Sequence, residues 1–311
     1  MAIHQLEPVR ATLCGSISRE HAPILTLVSG DTVRYRTLDA GWGLEPLLAP
    51  DGERRKFEPR GEFDRGHALI GPVAVQGARA GGVLEIQINA IRPGEYGFCV
   101  AGGWSHPVND RLGLAPEEHK TLHAWTLDAT RMIGRNQHGH TVALRPFMGV
   151  MGLAPDEPGM LSTVPPRYCG GNLDCKELVA GSSLFLPVAV EGAYSYVGDG
   201  HAAQGDGEVS ETAIECPMEQ VDLTFVVHEN LRLTMPRAKT NDGWITFGLH
   251  AELEEAMYLA LEGMVDLIQE LYTVSKPDAL ALASVAADLR ITQIVNGVRG
   301  VHMLLPHGVI R

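Results

Sequence analysis

Two polar, glycine-rich segments separated by a short apolar run constrain this chain more than any other feature. The first segment covers residues 170–174 (GGNLD) and the second covers residues 198–208 (GDGHAAQGDGE). The run between them, residues 183–191, is typical of a β-strand interrupted by a proline. Glycine lets a backbone bend sharply between neighbouring polar side chains. We therefore expect the two segments to meet at one pocket.

The side chains of these segments indicate a site for a divalent cation. The second segment alone carries three carboxylates and one imidazole within ten residues, and these are residue types that bind divalent ions. Zinc is favoured because histidines are present, and calcium, which takes more oxygen ligands, is the alternative. No HExxH pattern supports zinc independently. The predicted ligands are His67, Asp174, Asp199 and His201.

A cation site that hydrolyses a carbonyl compound also needs a proton acceptor and a group that binds the substrate. Glu191 lies at the end of the apolar run, where burial in a low-dielectric wall would suit it to act as a general base. Glu208 is the competing candidate, and the sequence does not rank the two. Asn172 is predicted to donate a hydrogen bond to the substrate carbonyl or its oxyanion. A bound cation would activate water for attack on a carbonyl.

Three alternatives remain open at this point. Cys169 and Cys175 flank the first segment, with Lys176 adjacent, so either thiolate could be a nucleophile. Ser182 and Ser183 follow a glycine and offer a weaker serine alternative. The third alternative is a β protein that binds a metal or a sugar without catalysis, since a fold does not fix a function.

The central stretch also resembles the acetamidase/formamidase family. Its ordered matches are GGNLD, K-x-L-x-x-G-S-x-L-x-L-P-V, V-E-G-A and G-D-x-H-A-A-Q-G-D-G-E-V. Further matches elsewhere are SGDTV, TLDA, the Gly66-His67 pair, PFMGVMGLAP and DLRITQIV, so the resemblance covers nearly the whole chain. It implies a cytosolic amidohydrolase that cleaves short aliphatic amides, such as formamide and acetamide, to a carboxylic acid and ammonia. It also strengthens the choice of His67 as a site residue.

The patterning predicts a mainly β protein with α+β character. Period-two alternation dominates up to residue 248, and helical spacing follows at residues 249–272 and 277–287. We expect a β-sandwich or barrel-like core followed by a helical C-terminal portion. Residues 1–248 would carry the site loops, and residues 249–311 would pack on the same core, in one domain or two.

Composition excludes several classes of partner. The chain has 311 residues and a net charge of −13, which disfavours nucleic acid because phosphate binding needs a basic face. No stretch reaches the roughly 20 apolar residues of a membrane span. The five cysteines show no metal-binding spacing. The first ten residues have no apolar run typical of a signal peptide. These features predict a cytoplasmic protein, the resemblance implies that its substrate is a small amide, and we also expect a homo-oligomer.

Overall fold

The computed structural model describes all 311 residues, Met1–Arg311. Strands hold 38% of the residues and helices 14%, which confirms the mainly β prediction. The strands, in chain order, are β1 (Ile3–Leu6), β2 (Leu13–Cys14), β3 (Leu25–Leu27), β4 (Thr32–Tyr35), β5 (Leu69–Val75), β6 (Val83–Pro93), β7 (Tyr96–Ala101), β8 (Thr121–Asp128), β9 (Ile133–Asn136), β10 (Thr141–Ala143), β11 (Phe147–Leu153), β12 (Gly170–Asn172), β13 (Ser183–Pro187), β14 (Ser195–His201), β15 (Met218–His228), β16 (Arg237–Lys239), β17 (Gly243–His250), β18 (Asp288–Gln293) and β19 (Arg299–Pro306). The α-helices are α1 (Pro107–Leu112), α2 (Leu253–Tyr272) and α3 (Lys276–Ala286), and short 3-10 helices cover Gly61–Asp64 and Glu117–His119.

These strands form three open sheets. The largest has nine strands in the order β1-β4-β15-β6-β13-β16-β17-β19-β18. A six-stranded sheet runs β12-β11-β14-β5-β2, with β3 paired to β5, and a four-stranded sheet runs β10-β9-β8-β7. None of the sheets closes on itself, so the barrel-like alternative is wrong. No helix of the structure combines the length and the apolarity needed to cross a membrane.

One core of 40 buried residues joins the sheets. It takes side chains from the nine-stranded sheet, such as Ile86 and Phe225, and from the six-stranded sheet, such as Ile70 and Val197. It also includes Trp125 of the four-stranded sheet. Open sheets that share a single apolar core agree with the sandwich part of the prediction.

The C-terminal helices build a second, smaller core of 11 buried residues against β19. Buried side chains recur along α2 at helical spacing, as in Ala256, Ala260 and Met264, which confirms the predicted helix. It begins at Leu253 rather than at 249, because residues up to His250 belong to β17. Since β17 and β19 are strands of the largest sheet, the helices are attached directly to it. The division into portions 1–248 and 249–311 stays a prediction.

The six-stranded sheet brings the two glycine-rich segments together. Strand β11 pairs with β12 on one side and with β14 on the other, so Val150 lies opposite both Asn172 and Gly198. Every residue of β5, β11 and β14 is buried. The second segment, expected to be a loop, therefore begins as a buried central strand that ends at His201.

Candidate functional site

A cavity of about 370 Å³ opens where β12 and β14 end. Part of its wall comes from two stretches of an earlier loop, residues 40–41 and 65–67. A buried ion pair holds this loop, since Arg54 Nη1 and Nη2 donate to the carboxylate of Asp39 at 2.6 and 2.9 Å. The polar lining includes His67, Asn172, Asp199, His201, Glu208 and Glu215.

His201 is the centre of the site and is 1% exposed. Its Nε2 atom lies 3.3 Å from Asp199 Oδ1 and 3.2 Å from Glu215 Oε1. Its Nδ1 atom lies 2.9 Å from Gln204 Oε1. The amide of Gln204 is oriented because its Nε2 donates to the backbone oxygen of Asp174 at 2.8 Å. Nδ1–H of His201 therefore donates to Gln204, and Nε2 faces the two carboxylates.

Asp174 and Glu208 approach His201 from its other side. Asp174 Oδ1 is 3.8 Å from His201 Nδ1, so the two glycine-rich segments meet as predicted. Asp174 Oδ2 accepts a 2.6 Å hydrogen bond from Nδ2 of Asn296. Potential ligand atoms of Asp174, His201 and Glu208 all lie within 4.8 Å of one another, as do those of Asp199, His201 and Glu215. His201 is thus shared by two groups of ligating side chains.

Burial and crowding of negative charge shift the pKa values of these groups. Burial raises the pKa of Asp174 to about 6 and that of Glu215 to about 7, although the nearby His201 opposes both shifts. Burial and the charge of Asp174 raise the pKa of Glu208 well above its usual range. Burial alone would lower the pKa of His201, but the charges of Glu215 and Asp199 outweigh it and raise this pKa. The cluster has an excess of negative charge and favours binding of a proton or a cation.

The backbone at the site is held in an uncommon conformation. Asp174, Asp199 and Glu208 have φ angles of 49°, 59° and 47°, in the left-handed region that few residues other than glycine occupy. Such strain costs of order 1–3 kcal/mol per residue and concentrates at functional sites. The strained backbone here belongs to three of the acidic residues around His201.

Several buried polar atoms of the cluster have no hydrogen-bond partner. They are Asn172 Oδ1, Asp174 Oδ1, His201 Nε2 and Glu215 Oε2. Buried polar atoms are nearly always paired, so this set indicates that a ligand completes the site. Gly149 of β11 provides the space, since a Cβ atom there would lie 2.3 Å from Asp199 Oδ2 and 2.7 Å from Asp174 Oδ1.

Most of the predicted site residues lie together. Asp174, Asp199, His201 and Glu208 form the cluster described above. His67 also lines the cavity, and its Nδ1 atom is 2.8 Å from Thr163 Oγ1. The pKa of Asp199 is lowered because the charges of His201 and His67 outweigh the opposing effect of burial.

One prediction needs correction, that for Glu191. Glu191 is exposed in the turn after β13 and does not line the cavity, so the low-dielectric wall expected around it does not exist. Asn172 lines the cavity, but its Nδ2 atom donates to Val164 O at 3.1 Å. Its Oδ1 atom is buried without a partner and adds an acceptor, while the second N–H of Nδ2 is not used by this bond, so the donor role stays a prediction.

Glu215 and Asn296 also belong to the site, although the sequence did not predict them. Glu215 lies between the apolar residues Ile214 and Cys216, and an isolated acid in an apolar run was a signal that could have identified it. Asn296 lies in the loop between β18 and β19, 122 residues from its partner Asp174. Only the fold brings the two together.

The alternative nucleophiles lie outside the cavity. Cys169 and Cys175 are fully buried and neither lines it. Burial raises the pKa of the Cys169 thiol to about 12, although Arg167 opposes the shift, and its Sγ atom donates to Leu153 O at 3.2 Å. Ser182 is buried and donates to Glu177 O. These side chains have structural partners and no path to a substrate.

Comparison with known proteins identifies relatives across the chain. The Acetamidase/Formamidase family model matches residues 23–162 and 158–309. A Schizosaccharomyces pombe protein, provisionally named a formamidase, is 30% identical over 234 aligned positions, which cover 58% of this chain and 55% of that protein. The chain therefore spans about half the length of this relative.

Solved structures with the same fold cover the chain almost completely. A predicted acetamidase/formamidase from Thermoanaerobacter tengcongensis superposes with a TM-score of 0.84 at 26% identity, over 98% of this chain and 96% of that one. An acetamidase from Bacillus halodurans gives a TM-score of 0.82 at 28% identity, over 97% of each chain. With the family model matched from residue 23 to residue 309, the chain belongs to the acetamidase/formamidase family.

Proposed function

We propose that this chain hydrolyses short aliphatic amides, such as formamide and acetamide, to the carboxylic acid and ammonia. The observation that carries the proposal is the buried acidic cluster around His201, whose unpartnered atoms adjoin a cavity of about 370 Å³. Membership of the acetamidase/formamidase family supports this chemistry. The names of the relatives described above agree with it.

We further propose that Asp199, His201 and Glu215 hold a divalent cation. Their potential ligand atoms lie within 4.8 Å of one another. A ligating histidine normally donates its other ring N–H to a fixed acceptor, and Gln204 is that acceptor for His201. The unpartnered Nε2 of His201 and Oε2 of Glu215 also fit an ion. Zinc remains the favoured ion because of the imidazole, and calcium is the alternative because carboxylates predominate.

Held by Asp199, His201 and Glu215, such a cation would supply polarisation of the amide carbonyl and would lower the pKa of a bound water molecule to about 7. Burial and the charge of Asp174 raise the pKa of Glu208 well above its usual range, so this carboxyl group holds a proton more tightly than an ordinary glutamate does. Glu208 also lines the cavity. In this proposal Glu208 donates a proton to the departing nitrogen, and the negative charge of Asp174 helps to keep that proton on Glu208 beforehand. Of the two candidates for acid–base catalysis, only Glu208 lies at the site.

The remaining polar groups orient the substrate. Asn172 Oδ1 is an acceptor without a partner, so it suits the N–H group of a primary amide. Phe98 and Val164 add apolar surface to the same cavity, where the alkyl group of the substrate can lie. His67 completes the wall near Asp199. The cytoplasmic location and the homo-oligomeric state expected from the sequence remain part of this proposal.

Ammonia release tests the proposed function directly. Purified protein is incubated with formamide, acetamide, propionamide and butyramide, its metal content is measured on the same sample, and His201→Ala serves as the control. We expect wild-type protein to release ammonia from at least one of these amides and His201→Ala to release none. Metal-loaded protein that releases ammonia from none of them would overturn the proposal and favour a non-catalytic binding protein.

A further inference from the structure

A second cluster of ligating side chains lies away from the cavity. Cys175, Glu177 and His302 offer a thiol, a carboxylate and an imidazole whose ligand atoms lie within 4.8 Å of one another. These residues are 0%, 2% and 0% exposed, respectively, and none of them lines the cavity around His201. The first two follow β12, and the third belongs to β19. The cluster therefore joins two distant parts of the chain.

The imidazole of His302 has an unused nitrogen that faces the other two groups. Its Nδ1 atom lies 2.7 Å from Thr292 Oγ1. Its Nε2 atom is buried without a hydrogen-bond partner and lies 3.7 Å from Glu177 Oε2, too far for a hydrogen bond. When Nδ1–H donates to Thr292, the lone pair of Nε2 points toward the thiol and the carboxylate. Ligating histidines are oriented in this way.

The two oxygen atoms of the Glu177 carboxylate face different partners. Its Oε1 atom is 2.8 Å from Arg290 Nη1, and its Oε2 atom is 3.4 Å from Cys175 Sγ. Arg290 also pairs with Asp206, so it anchors Glu177 from outside and leaves Oε2 facing the cluster. A carboxylate held by an outer partner in this way is typical of a metal ligand.

We propose that Cys175, Glu177 and His302 form a second metal site, which is structural and takes a zinc-class transition metal. Thiolate and imidazole select zinc over calcium or magnesium. The three protein ligands leave one position for a water molecule in a tetrahedral site. The site is closed to substrate, so its role is to tie the segment after β12 to β19 and to hold Asp174, the neighbour of Cys175, in place. This inference is independent of the proposed amidase activity.

Cobalt binding tests the site without any activity measurement. Metal-free protein is titrated with Co²⁺, and the sulfur-to-cobalt charge-transfer absorption in the near ultraviolet is recorded together with the number of ions bound. The cluster around His201 offers no thiol among its ligand atoms, so a charge-transfer band reports a cysteine ligand. We expect wild-type protein to show the band, and His201→Ala to keep it while binding one ion fewer.

Two cysteine variants assign the band. Cys175→Ser should lose the band and one bound ion, while Cys169→Ser, which changes another fully buried cysteine six positions earlier, should keep both. If wild-type protein shows no charge-transfer band, the proposal is wrong. This outcome is measured on wild-type protein, so it does not require any variant to fold. Persistence of the band in Cys175→Ser also overturns the proposal, because the ligand would then be a different cysteine.

Discussion

The two buried clusters contain similar donors but differ in access and in charge. Around His201, four carboxylates meet beside a cavity of about 370 Å³. Around His302, a single carboxylate is held by Arg290, and the imidazole does not line that cavity. The two histidines are 1% and 0% exposed, so burial alone does not distinguish them.

The pKa of the histidine therefore shifts in opposite directions at the two clusters. Burial lowers the pKa of His302 to about 4, and Arg290 adds to the effect while Glu177 opposes it. At His201 burial acts in the same direction, but the charges of Glu215 and Asp199 reverse the result and raise the pKa. Crowded carboxylates next to an open cavity distinguish the cluster for which we propose catalysis. The closed, charge-balanced cluster is suited to holding the fold.

The largest expected effect separates the two histidines. His201→Ala should reduce turnover below detection, because it removes a cation ligand and the centre of the charge network. His302→Ala should instead lower the free energy of unfolding by about 1–3 kcal/mol, because it leaves buried polar groups unpaired. Ammonia release and chemical denaturation are measured on both variants. Comparable loss of turnover in well-folded His302→Ala would break the distinction between the clusters.

The next effect concerns the acid–base group. Glu208→Gln should reduce kcat by roughly 10²–10⁴-fold, because a positioned proton donor contributes about that much. Its matched control is Glu191→Gln, which changes an exposed glutamate outside the cavity and should leave kcat unchanged. Steady-state kinetics with acetamide measure both variants. The reverse order of effects would return the catalytic role to Glu191.

A smaller loss should follow from filling the space beside the carboxylates. A Cβ atom at Gly149 would lie 2.3 Å from Asp199 Oδ2, so Gly149→Ala must displace that carboxylate. Misplacement by about 1 Å can cost roughly 10²-fold in rate. Gly205→Ala is the control, since a Cβ atom there meets nothing within 4 Å. Equal rates for the two variants would show that the position of Asp199 does not limit catalysis.

The smallest effect is expected for a cysteine outside both clusters. Cys169→Ala should keep its turnover, because the thiol is buried and does not line the cavity. It should lose about 1 kcal/mol of stability, as is usual for a core substitution. Ammonia release and a denaturation curve give both values. A folded variant without activity would revive the thiol nucleophile.

The spacing of residue types along the chain predicted those features that depend on neighbouring residues alone. The apolar spacing along α2 required a helix, and the residue types between 170 and 208 marked the site. His67 was identified as a site residue by the resemblance to the acetamidase/formamidase family and not by the pattern of neighbouring residues. Residues 249 and 250 fit both a strand pattern and a helical pattern, so the predicted helix begins too early. Pairing with β19 makes these two residues part of a strand.

Tertiary contacts determine what the sequence could not provide. Glu191 ends an apolar run in the sequence, but the strand β13 already ends at Pro187 and Glu191 lies exposed in the turn that follows. Asn296 reaches Asp174 only because the loop between β18 and β19 packs against the end of β12. The hydrogen bond from Asn172 to Val164 O engages one N–H of the amide, and no partner reaches Oδ1. Neither the direction of a turn nor the partner of an amide is encoded in side-chain spacing.

The central claim is that the cluster around His201 hydrolyses amides with a bound cation. The most direct test is ammonia release from acetamide by one preparation, measured as purified, after removal of metal by a chelator, and after addition of Zn²⁺. We predict activity in the first state, loss in the second and recovery in the third. Undiminished ammonia release by protein shown to be metal-free would contradict the account.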